Sequence, residues 1–422
     1  MITHELIERI EGEAQLDFSL DDAGRVLDAS TRFVHFRGME RILEGRDALD
    51  ALAITPRVCG ICGHSHLLAT VSMLENLYAH AGQSVTPTPK AHAIRRITQQ
   101  SEVLQNHLKW LYLVMFPQSR ALLGIEAPSP MQALSICAKI NSMTALLSGQ
   151  WPHSSYAMVG GVTCDPTYSE IMRALALLEE VAAFVTHHVV SMPLEAWEEH
   201  IVERPIVEGA LGALLGDFEA LGLLESGHSH GRLLALPARM VDGVRYDASL
   251  DAIEEEAHSD EGTYAKRVRY AGKFYETGPL ARTVLGNRAG INALWRRYGD
   301  SAPLRIVARI DEIVSILGEI RALLQTLDLS QSSCVEVAPF GSISGTGVGI
   351  VEAPRGLLLH RATLQRGIIT RYDIITPTQW NLGNGTATHS GIAQQAMRGA
   401  TSSAKAALIF RTFDVCSVCT TH

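Results

Sequence analysis

Apolar and polar residues alternate along the start of the chain. In ITHELIERIEGEAQLDFSLDDAGRVLDASTRFVHF the step is two residues, the period of a strand with one buried face. Asp21-Asp22-Ala23-Gly24 interrupts it with turn chemistry. Residues 1–56 therefore read as β-rich, with a short helix in RGMERILEG. Beyond them the period lengthens. Ile94, Ile97, Val103, Leu104, Leu108, Leu111 and Val114 recur at three- and four-residue steps, and the same logic predicts helices over 64–83, 90–116, 130–148, 168–190 and 305–327. In the last, Ile306, Ile310, Ile313, Ile316, Leu317 and Ile320 form one stripe, the mark of a packing face.

Residues 205–280 are mixed: Leu-rich segments, SGHSHGR and strand-like patterns, with IEEEAHSDEG at 253–262 read as an exposed loop. Residues 335–382 read as strands and loops, with glycines at 341, 345, 347 and 349. The expected fold is mixed α+β and predominantly helical, a central bundle of long helices with peripheral β-strands. It is expected to form one body over 1–422. Its parts are the β-rich 1–56, a helical core at 57–200, a mixed insertion with a core helix at 201–330, and pocket walls with the C-terminal segment at 331–422.

Composition agrees with a large aliphatic core: of 422 residues, 46% are hydrophobic and only 6% aromatic. A formal net charge of −9 gives no affinity for nucleic-acid phosphates or anionic lipid, so no nucleic-acid partner is expected. The local basic group of Lys266, Arg267, Arg269 and Lys273 reads as a solvated face or an interface rim. MITHELIERIEGEAQ lacks the pattern of a secretory signal, and no run of about 18 apolar residues suggests a membrane span. The expected location is the cytoplasm or the cytoplasmic face of the membrane, with export beside a signal-bearing partner left open. Seven cysteines, an odd number, favour metal binding or a reducing compartment over a disulfide framework.

Four of the seven form two C-x-x-C pairs. Cys59 and Cys62 lie in RVCGICGHSH, Cys416 and Cys419 in DVCSVCTTH. Each pair sets two sulfurs on one side of a tight turn, and two pairs make a four-thiolate site for a soft metal. Zinc ribbons separate such pairs by about 15–20 residues; here more than 350 intervene. The helical pattern after Cys62 places its sulfur at a helix N-terminus, which favours the thiolate. His66, one turn on, is placed to donate a hydrogen bond to that sulfur. Cys137, Cys164 and Cys334 have no partner spacing and read as small buried hydrophobes.

These residues resemble the large subunit of nickel–iron hydrogenases. The family pattern R-x-C-G-x-C-x-x-x-H is matched at Arg57, Cys59, Gly60, Cys62 and His66. The pattern D-P-C-x-x-C-x-x-H is matched at Asp414, Cys416, Cys419 and His422, with Val415 in place of the usual proline. RIEG at 9–12, FRGME at 36–40, TYAKRVRYAGKFYETGPLAR at 263–282, EAPRG at 352–356 and TPTQWN at 376–381 are similar to further family segments in the same order.

The resemblance implies reversible heterolytic cleavage of H2 at a nickel–iron centre whose iron carries carbonyl and cyanide. Cys62 and Cys419 would bridge the metals, and Cys59 and Cys416 would be terminal on nickel. Arg355 would lie over the open site, Ala353 and Pro354 would wall the diatomic ligands, and Thr378 would hydrogen-bond a cyanide. Asp414 would contact Arg355 or order the pocket. Glu11 would pass protons from a thiolate. Glu40, the carbonyl near Ile374 and His422 would hold a magnesium-like ion. One departure is Asn106, before His107, where many family members carry an aspartate facing the arginine.

The implied partners are an iron–sulfur small subunit, since this chain has no third cysteine cluster, and further electron-transfer subunits. A maturation protease and nickel chaperones are also implied, and whether His422 is a processed end is left open. A hydrogen sensor with the same centre and slow turnover is the alternative. A metal-free relative such as the corresponding chain of respiratory complex I is disfavoured by the retained cysteines, as is a zinc-stapled structural protein.

Overall fold

A computed structural model describes residues 2–9, 12–203, 208–256 and 262–416. Its first element is the sheet that the alternating pattern predicts: antiparallel strands Ile2–Arg9, Gly12–Leu20 and Val26–Arg32, in that order. Asp21 builds the turn between the last two. Its carboxylate accepts from the Ala23 and Arg25 amides at 2.9 and 2.8 Å. The short helix expected in RGMERILEG is Met39–Leu43.

Five longer helices follow the predicted segments: Gly63–His80, Pro89–Lys109, Met131–Ser148, Tyr168–Phe184 and Ala302–Thr326. Their starts are chemically marked. Thr88 accepts from the Ala91 amide with Pro89 in the first turn, and Ser301 accepts from Leu304. Thr167 and Glu170 form a reciprocal capping box. The Pro89–Lys109 and Tyr168–Phe184 helices each pack on both Met131–Ser148 and Ala302–Thr326. The stripe from Ile306 to Ile320 is buried in the largest apolar cluster, as a packing face should be. Two of the predicted helices end in wider, π-helical turns, Trp110–Met115 and Val185–Val190. The first then continues as Phe116–Leu123, beyond the boundary that periodicity suggested.

A second antiparallel sheet, Gly345–Ala353, Gly356–Gln365 and Ile368–Ile375, lies against the Gly63–His80 helix. The glycines between 345 and 349 explain how close it comes. A Cβ at Gly349 would meet the Ala69 carbonyl oxygen at 2.0 Å and the Met73 amide at 2.4 Å. The strand therefore rests on helix backbone, and the helix that begins at the first cysteine pair is fixed in depth by it.

Four local expectations change. Ile253–Glu256 is a strand, not a loop, paired antiparallel with Arg267–Tyr270. Of the basic group opposite it, Lys273 is exposed as expected, but the other three residues are paired rather than solvated. Arg267 pairs with Glu256 and Arg269 with Glu254, and Lys266 is largely buried between Glu40 and Glu255. Like-charged runs on two neighbouring strands neutralise each other across the register, a pairing that neither run reveals alone. TPTQWN is mostly helix, Pro377–Leu382, opened by Gln379 accepting from the Thr376 amide at 2.9 Å. Of the unpaired cysteines only Cys137 is buried; Cys164 is half-buried and Cys334 exposed. Among the described residues no single helix is long and apolar enough to cross a membrane.

Gly349→Ala should lower the urea unfolding midpoint by the equivalent of about 1–3 kcal/mol, the usual cost of overpacking. An unchanged midpoint would mean that the strand can lift from the helix at no cost.

Candidate metal centre

The turn at the first cysteine pair is organised around sulfur. Cys59 Sγ accepts from the amides of Ile61 and Cys62 at 3.4 and 3.2 Å, and Cys62 caps the Gly63–His80 helix. That helix start is held from outside by Glu102. Its carboxylate accepts from the His64 and Ser65 amides at 2.8 and 3.0 Å and from Ser65 Oγ at 2.6 Å. The second pair arrives from the C-terminal side. The Ser403–Arg411 helix is pinned by Trp110 Nε1 donating to the Arg411 carbonyl at 2.9 Å, and Asp414 then turns with φ 65°. A proline at 415 would restrict Asp414 to extended backbone; Val415 does not. The turn delivers Cys416 Sγ to 3.8 Å from Cys59 Sγ, and Cys59, Cys62 and Cys416 form one buried cluster.

Arg355 stands over this cluster on the tip of a hairpin. Ala353 pairs with Gly356, so Pro354 and Arg355 are its two-residue loop. Gly356 has φ 136°, and a Cβ there would meet Thr277 Oγ1 at 2.3 Å, so only glycine closes this loop. Arg355 Nε lies 3.3 Å from Asp414 Oδ2, both residues being buried. Burial alone would lower the arginine's pKa, but Asp414 and the thiols of Cys416, Cys62 and Cys59 outweigh it and raise it well above the ordinary range. A closed cavity of about 10 Å³ lies beside Cys62, lined by His66, Ala353, Pro354, Arg355, Leu358, Pro377 and Thr378. Arg355 Nη1 and Thr378 Oγ1 are buried with no hydrogen-bond partner among the described residues. Buried polar atoms are normally satisfied; two orphans lining one small cavity beside clustered sulfurs fit a metal group that carries small hydrogen-bond acceptors.

Among the described residues no three histidine, cysteine or carboxylate side chains already stand in finished metal-ligand geometry. The expected fourth sulfur, Cys419, lies outside the described residues, as do Glu11 and His422. The remaining candidates are placed. His66 lines the cavity, but the ring bond described for it joins Nδ1 to His360 Nε2 at 2.9 Å, not to the Cys62 sulfur. Burial lowers its pKa to about 4, so it is neutral at pH 7. His360 Nδ1 continues to Tyr372 Oη at 2.8 Å. Glu40 and Ile374 do meet: the Ile374 amide donates to Glu40 Oε1 at 2.7 Å. Lys266 Nζ lies between them, 2.6 Å from Glu40 Oε1 and 3.4 Å from the Ile374 carbonyl, with Glu255 as another partner at 3.2 Å. Asn106 is buried and its Oδ1 finds no donor among the described residues.

Glu102, His360 and Tyr372 were not singled out from the sequence, and Lys266 only as one of a local basic group. Each is set by partners distant in the chain; only Lys266, inside the TYAKRVRYAGKFYETGPLAR segment, carried a local signal.

A family model described as nickel-dependent hydrogenase matches residues 37–115 and 235–422. Among curated relatives, the chain is 26% identical to the NAD-reducing hydrogenase HoxS subunit beta of Cupriavidus necator, covering 99% of this chain and 93% of that one. It is 25% identical to a chain of the F420-non-reducing hydrogenase of Methanothermobacter thermautotrophicus, over 100% and 94%. It is also 25% identical to the periplasmic [NiFeSe] hydrogenase large subunit of Desulfomicrobium baculatum, over 89% and 84%. The fold is shared with the Ni-Fe-Se hydrogenase of D. vulgaris Hildenborough, TM-score 0.83 at 22% identity, with both chains covered fully. The fold is therefore that of a hydrogenase large subunit. The chain belongs to the nickel-dependent hydrogenase family, a family of oxidoreductases.

Glu102 generates a pH prediction. Burial raises its pKa from 4.5 to about 7, against the lowering effect of its bonds to Ser65 and His64. The folded state then holds this proton more tightly than the unfolded state. The associated stability is full below pH 4.5 and falls as pH rises towards 7, by ~3 kcal/mol. Glu102→Gln should remove that slope from urea midpoints measured between pH 4.5 and 8; the same slope in the variant would assign it to another group.

Proposed function

We propose that this chain is the catalytic subunit of a nickel–iron hydrogenase, with Cys59, Cys62, Cys416 and Cys419 as the thiolate ligands. The observation that carries the reading is the meeting of Cys59 and Cys416, 357 residues apart in sequence, at 3.8 Å beneath a buried arginine. Soft thiolates suit nickel and low-spin iron. When bound, a nickel–iron group with carbonyl and cyanide ligands supplies the heterolytic cleavage of H2.

The chain's own residues bind and shield that group and carry the proton. Cys59, Cys62, Cys416 and Cys419 would hold the group through their sulfurs. Arg355 offsets the negative charge of the thiolates and offers Nη1 to a cyanide; Thr378 offers its hydroxyl to another. Ala353, Pro354 and Leu358 keep water from that side. Asp414 holds Arg355 in place. A thiolate of Cys59 or Cys416 would receive the proton, and Glu11 would pass it on. Neutral His66 packs beside Cys62 without adding charge. Glu40, the Ile374 carbonyl and His422 are assigned to a magnesium-like ion: carboxylate and carbonyl oxygens suit a hard cation. Lys266 would then retain Glu255 and leave the space between Glu40 and Ile374.

Electrons need an outlet, and we assign it to an iron–sulfur small subunit docked beside the first cysteine pair. Arg37 donates to the carbonyls of Val58 and Arg57, tying FRGME to the Cys59 turn. Next to it, Val34, Phe36, Ile42 and Tyr264 are exposed, with the Phe36 and Tyr264 rings 5.4 Å apart and Arg41 over Phe36. Aromatic and arginine side chains grouped this way are the usual anchors of an interface. Phe36→Asp should reduce co-purification of the small subunit, an anchor typically being worth about 2 kcal/mol or more. Undiminished complex formation would move the interface elsewhere.

The infrared spectrum of the purified complex, with nickel and iron analysis, tests the centre. Metal-bound carbonyl and cyanide bands are expected with about one nickel per chain, the load of one four-thiolate site, and Cys416→Ser should lose both. A nickel-loaded, fully active Cys416→Ser protein would end the assignment.

A further inference from the structure

Asp414 serves two guanidiniums, not one. Arg309 Nη1 donates to the same Oδ2 at 3.2 Å that Arg355 approaches at 3.3 Å. Arg309 belongs to the Ala302–Thr326 helix and is among the largest fully buried side chains, lying over the Trp110 ring at 4.4 Å. Its Nη1 also lies 3.2 Å from His107 Nδ1. A guanidinium only donates, so His107 Nδ1 must accept. The ring proton is then on Nε2, which donates to Glu312 Oε2 at 2.9 Å. Glu312 is gripped by Arg282 through Nε at 2.6 Å and Nη2 at 2.8 Å. Arg282 finally donates to the Ala353 carbonyl at 2.8 Å and the Pro354 carbonyl at 3.3 Å.

Those two carbonyls belong to the hairpin tip that carries Arg355. The contacts therefore close a circuit: Arg355, Asp414, Arg309, His107, Glu312, Arg282 and back to the hairpin tip that carries Arg355, every link a hydrogen bond except the ion pair of Arg355 with Asp414 at 3.3 Å. One arm holds the guanidinium and the other holds its main chain. The bonds have one consistent polarity, each donor-only group facing an acceptor, with the histidine as the only link that does both. Burial keeps His107 neutral, its pKa lowered to about 3, so it relays orientation without adding charge. Arg282 carries Glu352 as a further partner at 3.2 Å, so guanidiniums and carboxylates balance around the ring.

We propose that Arg309 is a positioning residue for Arg355, fixing its guanidinium over the thiolates through Asp414 on one side and His107, Glu312 and Arg282 on the other. The proposal rests on the nickel–iron reading above, and the parent complex's infrared bands test that reading first. The circuit is then tested by a double-mutant cycle in the holoenzyme with Arg309→Gln, Arg355→Lys and the pair, scored by turnover and cyanide band position. Arg309→Gln should lower turnover by about 10- to 100-fold, as expected for a displaced reactive-site group, and shift the cyanide bands with nickel content unchanged. Because it acts through Arg355, it should change the Arg355→Lys enzyme by no more than about twofold. Losses that multiply in the double variant would overturn the proposal, as would unshifted bands and normal turnover in Arg309→Gln. If Arg309→Gln assembles no centre, Arg309→Lys enters the same cycle under the same criteria, with a smaller loss expected because the charge on Asp414 is kept.

Discussion

Clustered thiolates repel one another, and a protein that gathers them must fix positive charge and donors around them before anything else can be arranged. Arg355 meets that constraint here. A buried guanidinium is costly alone, because burial disfavours the charged form. Its position is possible because Asp414 and the sulfurs lie on one side and a rigid hairpin tip on the other. Much of the surrounding architecture answers to this placement. The glycines of Gly345–Ala353 let the sheet rest on the cysteine helix, and Gly356 lets the hairpin cross Thr277 at close range.

The same electrostatic logic runs outwards from the centre. Glu102 ends the cysteine helix with an acceptor, using the helix N-terminus that also faces Cys62. The carboxylate is held by two amides and a hydroxyl, yet its burial leaves it easy to protonate. Asn106 is uncharged, and Asp414 is the acid shared by Arg355 and Arg309. Two guanidiniums share this one carboxylate beside the sulfurs, a setting that suits an anionic metal group.

What the sequence disclosed was of two kinds. Periodicity showed the long helices and the first sheet, because their apolar positions repeat within a few residues. The cysteine pairs, Arg355, Asp414 and Thr378 stood out because rigid spacing or a family-like segment marked them. What stayed hidden was pairing across distance. The Ile253–Glu256 run reads as a loop until Arg267–Tyr270 is laid beside it. Arg309 and Glu312 are one turn apart on the Ala302–Thr326 helix, and nothing local separates them from ordinary surface charges; only His107 and Asp414, far away in the chain, give them a role. The π-helical turn after Lys109 likewise follows no rule of periodicity.

The separation of Cys59 from Cys416 has a temporal side. The first sulfurs and the helix behind them leave the ribosome long before their counterpart, 357 residues on. At roughly 5–20 residues per second, the interval is on the order of 20–70 s. During that interval Cys59 and Cys62 exist as a nucleophilic dithiol in an unfinished protein, open to oxidation and to the wrong metal. The waiting time is built into the topology, and it makes the guarding of nascent thiols as much a part of producing this protein as its final packing.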